Sequence, residues 1–192
     1  MSTRSQSWGS LPVGAKGFIA LIIASGMTAL LYAAVHQSSK NIAEFICYVC
    51  IAVLASRLRV TLPGITGTLS VNFLFILVGV VELSYAETVT LGAVSMLAQS
   101  LYPERPNAIQ LTFNVCAGTV STALAYFVYH LPLINQIIGN RPLALCLAAS
   151  TYFIANAGSI AAVISFTEGK PLRQILVECY FWSFPYYLVG AG

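Results

Sequence analysis

Gly17-Phe18-Ile19-Ala20-Leu21-Ile22-Ile23-Ala24-Ser25-Gly26-Met27-Thr28-Ala29-Leu30-Leu31-Tyr32-Ala33-Ala34-Val35 passes from end to end without a charged side chain. A helix that crosses the hydrocarbon core of a bilayer needs about 20 mostly apolar residues, and this run has that length. Residues 1 to 16 before it are polar and mildly basic, with no clear small-residue cleavage site after the run. It therefore reads as a first membrane anchor and not as a removed leader.

Further apolar runs follow in series: Ile42–Ser56, Ile65–Leu83, Ala86–Tyr102, Ala108–Tyr129 and Leu143–Phe166. A seventh starts near Gln174 and reaches Gly192. Breakers separate them at Ser38-Ser39, Pro63-Gly64, Pro103, Pro106, Pro132, Pro142, Gly169 and Pro171. The expected fold class is all-α, a single polytopic helical membrane bundle over residues 1–192, with six complete spans and the start of a seventh. Composition agrees. Of the 192 residues 58% are hydrophobic and 8% charged, with a mean hydropathy of +0.82, whereas a soluble domain is about 25% charged.

The basic residues assign sides. With a cytoplasmic N-terminus, Arg4, Lys16, Arg57, Arg59, Arg105, Lys170 and Arg173 fall inside, and Lys40 and Arg141 outside. Such a bias over short loops predicts that orientation. It puts Glu82 and Glu87 at the outer turn between the third and fourth spans. Trp8 and Tyr180-Phe181-Trp182 suit interfacial belts, with Tyr186 and Tyr187 deeper or nearer the far side. Between the second and third spans, Arg57-Leu58-Arg59-Val60-Thr61-Leu62 alternates polar and apolar residues. That pattern fits an extended piece lying in the interface as well as an ordinary positive-inside loop. The Pro63, Gly64 and Gly67 that follow permit a non-helical entry into the third span, provided protein covers it.

Polar groups inside a bilayer are costly and so carry information. The fifth span carries Gln110, Asn114, Gly118, Ser121 and Thr122 at helical spacing. The fourth holds Ser95 and Gln99, the third opens with Ser70 and Asn72, and the sixth has Ser150, Thr151, Asn156 and Ser159. Asn72, Gln99, Gln110, Asn114 and Asn156 are the candidate ligand-binding residues, facing one another across the bundle. Tight packing is the competing account, with small residues such as Gly118 and Gly158 allowing close approach and amides bonding between helices.

Several chemistries lack their residues. No Asp occurs anywhere, which excludes an aspartyl protease, and there is neither a carboxylate relay nor a His-Glu-x-x-His zinc motif. His36 and His130 belong to the outer ends of helices. Cys47, Cys116, Cys146 and Cys179 lie in apolar runs, and Cys50 shares a helical face with Cys47; without a second close pair they read as buried apolar side chains. No catalytic residue, metal site or cofactor is expected, and the formal charge of +3 is too small to argue for nucleic acid. The bilayer itself, a small-molecule ligand and a second copy of the chain are the candidate partners.

The stretch from Leu54 through Arg57-Leu58-Arg59 and Pro63-Gly64-Ile65-Thr66-Gly67-Thr68 to Phe75 carries a resemblance. So do Val81-Glu82-Leu83, Glu87-Thr88, Phe113-Asn114 and the late run from Glu178 to Gly190. Together they resemble the N-terminal integral membrane domain of bacterial HD-GYP or GGDEF signalling proteins. The resemblance implies a multi-pass anchor and sensory input in the cytoplasmic membrane, joined in the same chain to a cytosolic cyclic-di-GMP output domain. Neither catalytic centre fits in these residues, since both need Asp. An odd number of crossings by Gly192 predicts that the polypeptide continues through another span into that domain. The alternative is a small-solute binding or uptake component, similar in architecture to substrate-binding subunits of energy-coupling-factor transporters. A small membrane enzyme fits least.

Overall fold

The structure, a computed structural model, describes residues 9, 11–37, 41–56, 59–61, 68–101, 106–132, 139–177 and 184–189. Helix α1, Val13–Val35, begins directly after Pro12, whose fixed φ suits a helix entry and whose missing N–H costs nothing there. Helix α2, Ile42–Ala55, is capped by Asn41, whose side chain accepts from the Glu44 N–H at 3.4 Å. The chain then turns extended. Strands β1, Arg59–Thr61, and β2, Thr68–Ser70, pair antiparallel with Val60 opposite Leu69.

Helix α3, Asn72–Glu82, follows. Then comes α4, Tyr85–Ser100, opened by a reciprocal cap in which the Ser84 hydroxyl accepts from the Glu87 N–H while the Glu87 carboxylate accepts from the Ser84 N–H at 3.0 Å. Helix α5, Ala108–His130, is capped by Asn107, whose side chain accepts from the Gln110 N–H at 2.8 Å. Helix α6, Arg141–Glu168, carries Pro142 in its first turn and stops at Gly169 with φ +68°, a left-handed cap that suits glycine. Two short pieces remain, α7 at Leu172–Ile175 and α8 at Phe184–Val189.

The predicted spans and the helices coincide closely except at two places. The third apolar run predicts a span over Ile65–Leu83, yet Thr68–Ser70 are strand and the helix starts only at Asn72. Alternation and β-branched residues win over apolarity there, so the all-α expectation gains a small two-stranded ribbon. The seventh run is represented by α7 and α8; residues 178–183 between them, with Trp182, and Trp8 lie outside the described residues.

Helix α5 is the hub, packing on α1, α3, α4 and α6. Its own small residues permit this. Gly92 of α4 meets Thr122, and a Cβ at residue 92 would lie 2.5 Å from the Thr122 Oγ1. Gly26 of α1 lies equally close to Cys116. Apolar clusters fill the space around these crossings. One joins Phe73, Ile76, Leu77 and Val80 of α3 to Ala125 of α5 and to Ala148, Ala149 and Tyr152 of α6.

The outside is apolar as well. Leu21, Leu31 and Val35 of α1, Ile46 and Leu54 of α2, and Leu147 and Ile154 of α6 are all exposed. A water-soluble monomer rarely shows apolar surface on this scale. Among the described residues three helices, α1, α5 and α6, are long and apolar enough to cross a membrane.

Candidate functional site

Contacts between helices fix their relative heights. Gly92 lies against Thr122 and Gly118 against Met96, so α4 and α5 run antiparallel. The Tyr152 hydroxyl approaches Met96 Sδ at 4.0 Å, and Gly79 of α3 meets Thr88 and Leu91 of α4. Counting helical rise from these points brings Asn72, Gln99, Asn114 and Asn156 to one level of the bundle. Asn72 is 1% exposed, and Gln99, Asn114 and Asn156 are half-buried. Gln110 departs from the expectation: it is exposed in the first turn of α5, one helical turn beyond Asn114. The Asn156 Oδ1 is shielded from solvent and has no hydrogen-bond partner among the described residues.

The hydroxyls of the same stripe are otherwise engaged. Thr119, Ser121 and Thr122 donate to the carbonyls of Val115, Ala117 and Gly118, Ser150 to Cys146, and Ser159 to Ala155. Each satisfies itself one turn back on its own helix. No exchange across the bundle is needed to bury them. Their polarity therefore belongs to packing, and only the amides are left as candidates for a ligand.

A second polar assembly occupies the end of the bundle that carries His36, Ser84, His130 and Arg141. Tyr32 stacks on His36 with ring centroids 4.1 Å apart, and Tyr126 stacks on His130 at 4.0 Å. Each histidine Nδ1 faces the backbone carbonyl of its own tyrosine, at 3.1 Å and 3.0 Å. A carbonyl only accepts, so Nδ1 carries the proton and Nε2 is left for other partners. Tyr85, first residue of α4, stands edge-on to both tyrosines at 5.6 Å and 5.4 Å. Beneath it Glu87 is 6% exposed, its Oε2 accepting from the Ser84 hydroxyl at 2.8 Å.

Beside this aromatic group lies an open cleft of about 540 Å³ lined by Val81, Glu82, Tyr129, His130, Gly139, Asn140 and Arg141. Glu82 and Arg141 carry opposite charges, and neither is in an ion pair among the described residues. A groove of about 270 Å³ shares Val81 and Glu82 with it and continues along Leu74, Leu77 and Val78 of α3 and Leu145 of α6.

No known protein family, curated protein or solved structure matches the chain.

In the sequence Glu82, His130 and Arg141 fall at separate chain turns and helix ends, with nothing in their spacing to join them. The signal that was present is the repeated Tyr-x-x-x-His spacing of Tyr32…His36 and Tyr126…His130, which on parallel helices sets two like stacks at one end. The cysteines need a correction. Cys116 is buried, but Cys47 and Cys50 are exposed on α2 and Cys146 is half-buried, because α2 packs only through its other face, on α3 and α4. Among the described residues, no group of three or more His, Cys, Asp or Glu side chains gathers to hold a metal ion.

Proposed function

We propose that this chain is the membrane-embedded anchor and sensory input of a bacterial cyclic-di-GMP signalling protein, crossing the cytoplasmic membrane six times before α7, with its N-terminus inside. The carrying observation is α6. It is a single unbroken helix of 28 residues, about 42 Å at 1.5 Å per residue, that begins at Arg141 in the cleft and ends at the opposite face. It packs along α5 and joins the cleft end to the opposite end by one continuous element. The basic-residue bias favours a cleft outside and a Glu168–Lys170 end inside, where an output domain in the same polypeptide would have its substrate. The resemblance carried by the strings from Leu54 to Phe75 and at Phe113-Asn114 motivates the family reading.

Within this proposal the amides Asn72, Gln99, Asn114 and Asn156 are the ligand-responsive level of the bundle, and Gln110 is its exposed flank. These residues hold no output chemistry of their own: the purified 192-residue chain should neither make nor hydrolyse cyclic-di-GMP. The test is made in the native host. Asn114→Leu in the natural gene should leave the protein level intact and remove the stimulus response of cellular cyclic-di-GMP. Deletion of the gene with no change in cyclic-di-GMP under any condition would overturn the signalling reading. Loss of uptake of a small solute in that same deletion strain would favour the transport alternative.

A further inference from the structure

The cleft and the groove form one continuous feature with two chemistries. At the cleft, Arg141 and Glu82 offer one positive and one negative charge, with His130 and Tyr129 in the same lining. Along the groove the lining is Leu74, Leu77, Val78 and Leu145, and from Leu74 to Glu82 the α3 axis rises about 12 Å. The polar end lies where α3 ends and α6 begins, and the apolar end runs back along α3 to Leu74, with Leu145 one turn into α6 beside it. That is the profile of an amphiphile standing at a membrane–water interface.

We propose that the pair holds one zwitterionic phospholipid, with a phosphoethanolamine headgroup in the cleft and one acyl chain along the groove. Charge complementarity selects this occupant. The phosphate takes Arg141, while the ammonium takes Glu82, a carboxylate with no ion-pair partner among the described residues. An anionic headgroup would satisfy Arg141 with its phosphate but bring no ammonium, leaving Glu82 without a counter-charge. A fatty acid would satisfy Arg141 and leave Glu82 without a counter-charge. A soluble zwitterion would leave the groove unused. The inference concerns the chain's own surface and stands independently of the signalling proposal.

Native mass spectrometry of the full 192-residue chain in a non-ionic detergent tests it with three probes: lysophosphatidylethanolamine, lysophosphatidylglycerol and chain-free glycerophosphoethanolamine. One lysophosphatidylethanolamine should bind per chain, about two- to fivefold tighter than lysophosphatidylglycerol, a difference equivalent to one exposed ionic contact. Glycerophosphoethanolamine should bind at least about tenfold more weakly, for want of buried methylenes. Glu82→Gln and Arg141→Gln should each weaken binding about two- to fivefold. Val78→Trp, at the exposed lip of the groove, should weaken it about tenfold or more by filling the chain's place, and Val78→Phe substitutes if the tryptophan variant is not monodisperse. Equal binding of the two lysolipids refutes the headgroup assignment, and equal binding of glycerophosphoethanolamine refutes the groove. Both comparisons use the unmodified chain, so no failure of a variant to fold can rescue the proposal.

Discussion

Replacing Gly26 by alanine tests whether α5 is packed as tightly as its contacts state. A Cβ at residue 26 would lie 2.6 Å from the Cys116 Cβ, 2.7 Å from its Cα and 2.9 Å from its carbonyl oxygen. Carbon atoms in contact prefer about 3.5–4.0 Å, so the two helices would have to part by roughly 1 Å. Two of the three opposing atoms are backbone, which leaves no rotamer to move aside. Overpacking of this kind costs about 1–3 kcal/mol, and the better helix propensity of alanine returns at most about 1 kcal/mol. The net expectation is a loss of about 1–2 kcal/mol. Gly158 of α6 is the control, since nothing lies within 4 Å of a Cβ there; Gly158→Ala should be neutral or slightly stabilising. The reporter is Cys116 itself, 1% exposed, as the sole thiol after Cys47, Cys50, Cys146 and Cys179 are changed to serine. Its maleimide labelling rate in mild detergent follows the opening equilibrium, and about 1.4 kcal/mol corresponds to tenfold. Gly26→Ala should label about 5- to 30-fold faster than the parent. If both glycine variants label at the parental rate, α1 and α5 are not in the close contact described.

Ser84→Ala should cost about 1 kcal/mol in unfolding by increasing dodecyl sulfate fraction, since it removes both the cap on the Glu87 N–H and a donor to the buried Glu87 carboxylate; an unchanged midpoint would argue against the cap. Asn156→Leu should be neutral or stabilising by up to about 1 kcal/mol, because a buried carbonyl oxygen without a partner is a standing cost. A clear loss of stability in the same assay would show that Oδ1 does have one. For topology, single cysteines at Ser39 and Thr61 in a cysteine-free background should differ, with an impermeant maleimide labelling Ser39 in intact cells. The opposite pattern inverts the proposed orientation.

Much of the helical layout was legible because apolarity and punctuation agree. The breakers Ser38-Ser39, Pro106 and Pro142 bracket runs whose helices begin and end within a few residues of the expected limits. The third run failed where two signals conflicted: Thr68-Leu69-Ser70 is apolar enough for a span but alternates like a strand, and the strand pairing prevails. The amide level was half legible. Spacing along one helix put Gln110 and Asn114 on a common stripe, but it could not say that Gln110 lies beyond the packed region. The cleft was not legible at all, because Glu82, His130 and Arg141 come from three separate turns and only the packing of α3 and α5 against α6 unites them.

Helix α4 shows why length and hydropathy recognise three spans among the described residues while the series of apolar runs argues for six. It is the least apolar of the main helices and falls outside the spans recognised by length and hydropathy. Yet its residues from Ala86 to Val89, Leu91 to Ala93, and Ser95 and Met96 are buried, and within it Leu97 alone is exposed. Hydropathy measures what a helix must show to lipid, and α4, enclosed by α1, α2, α3 and α5, shows lipid very little. Its Thr88 and Ser95 hydroxyls bond to the carbonyls of Gly79 and Gly92, so polarity there carries no desolvation debt. Length is the sharper constraint on six crossings. Helix α3 has 11 residues, about 16 Å against a hydrocarbon core of about 30 Å. For that crossing to be complete, the β1–β2 ribbon must supply the remaining depth. Paired strands satisfy each other along one edge only, and lipid tolerates such an edge solely where protein covers it. The six-crossing proposal therefore requires the ribbon to be sheltered by neighbouring protein or to meet the headgroups in a locally thinned bilayer. A depth-dependent quencher distinguishes these: a spin label at Val60 should be reached by a lipid-soluble relaxant if the ribbon lies at membrane depth, and by a water-soluble one alone if α3 does not cross.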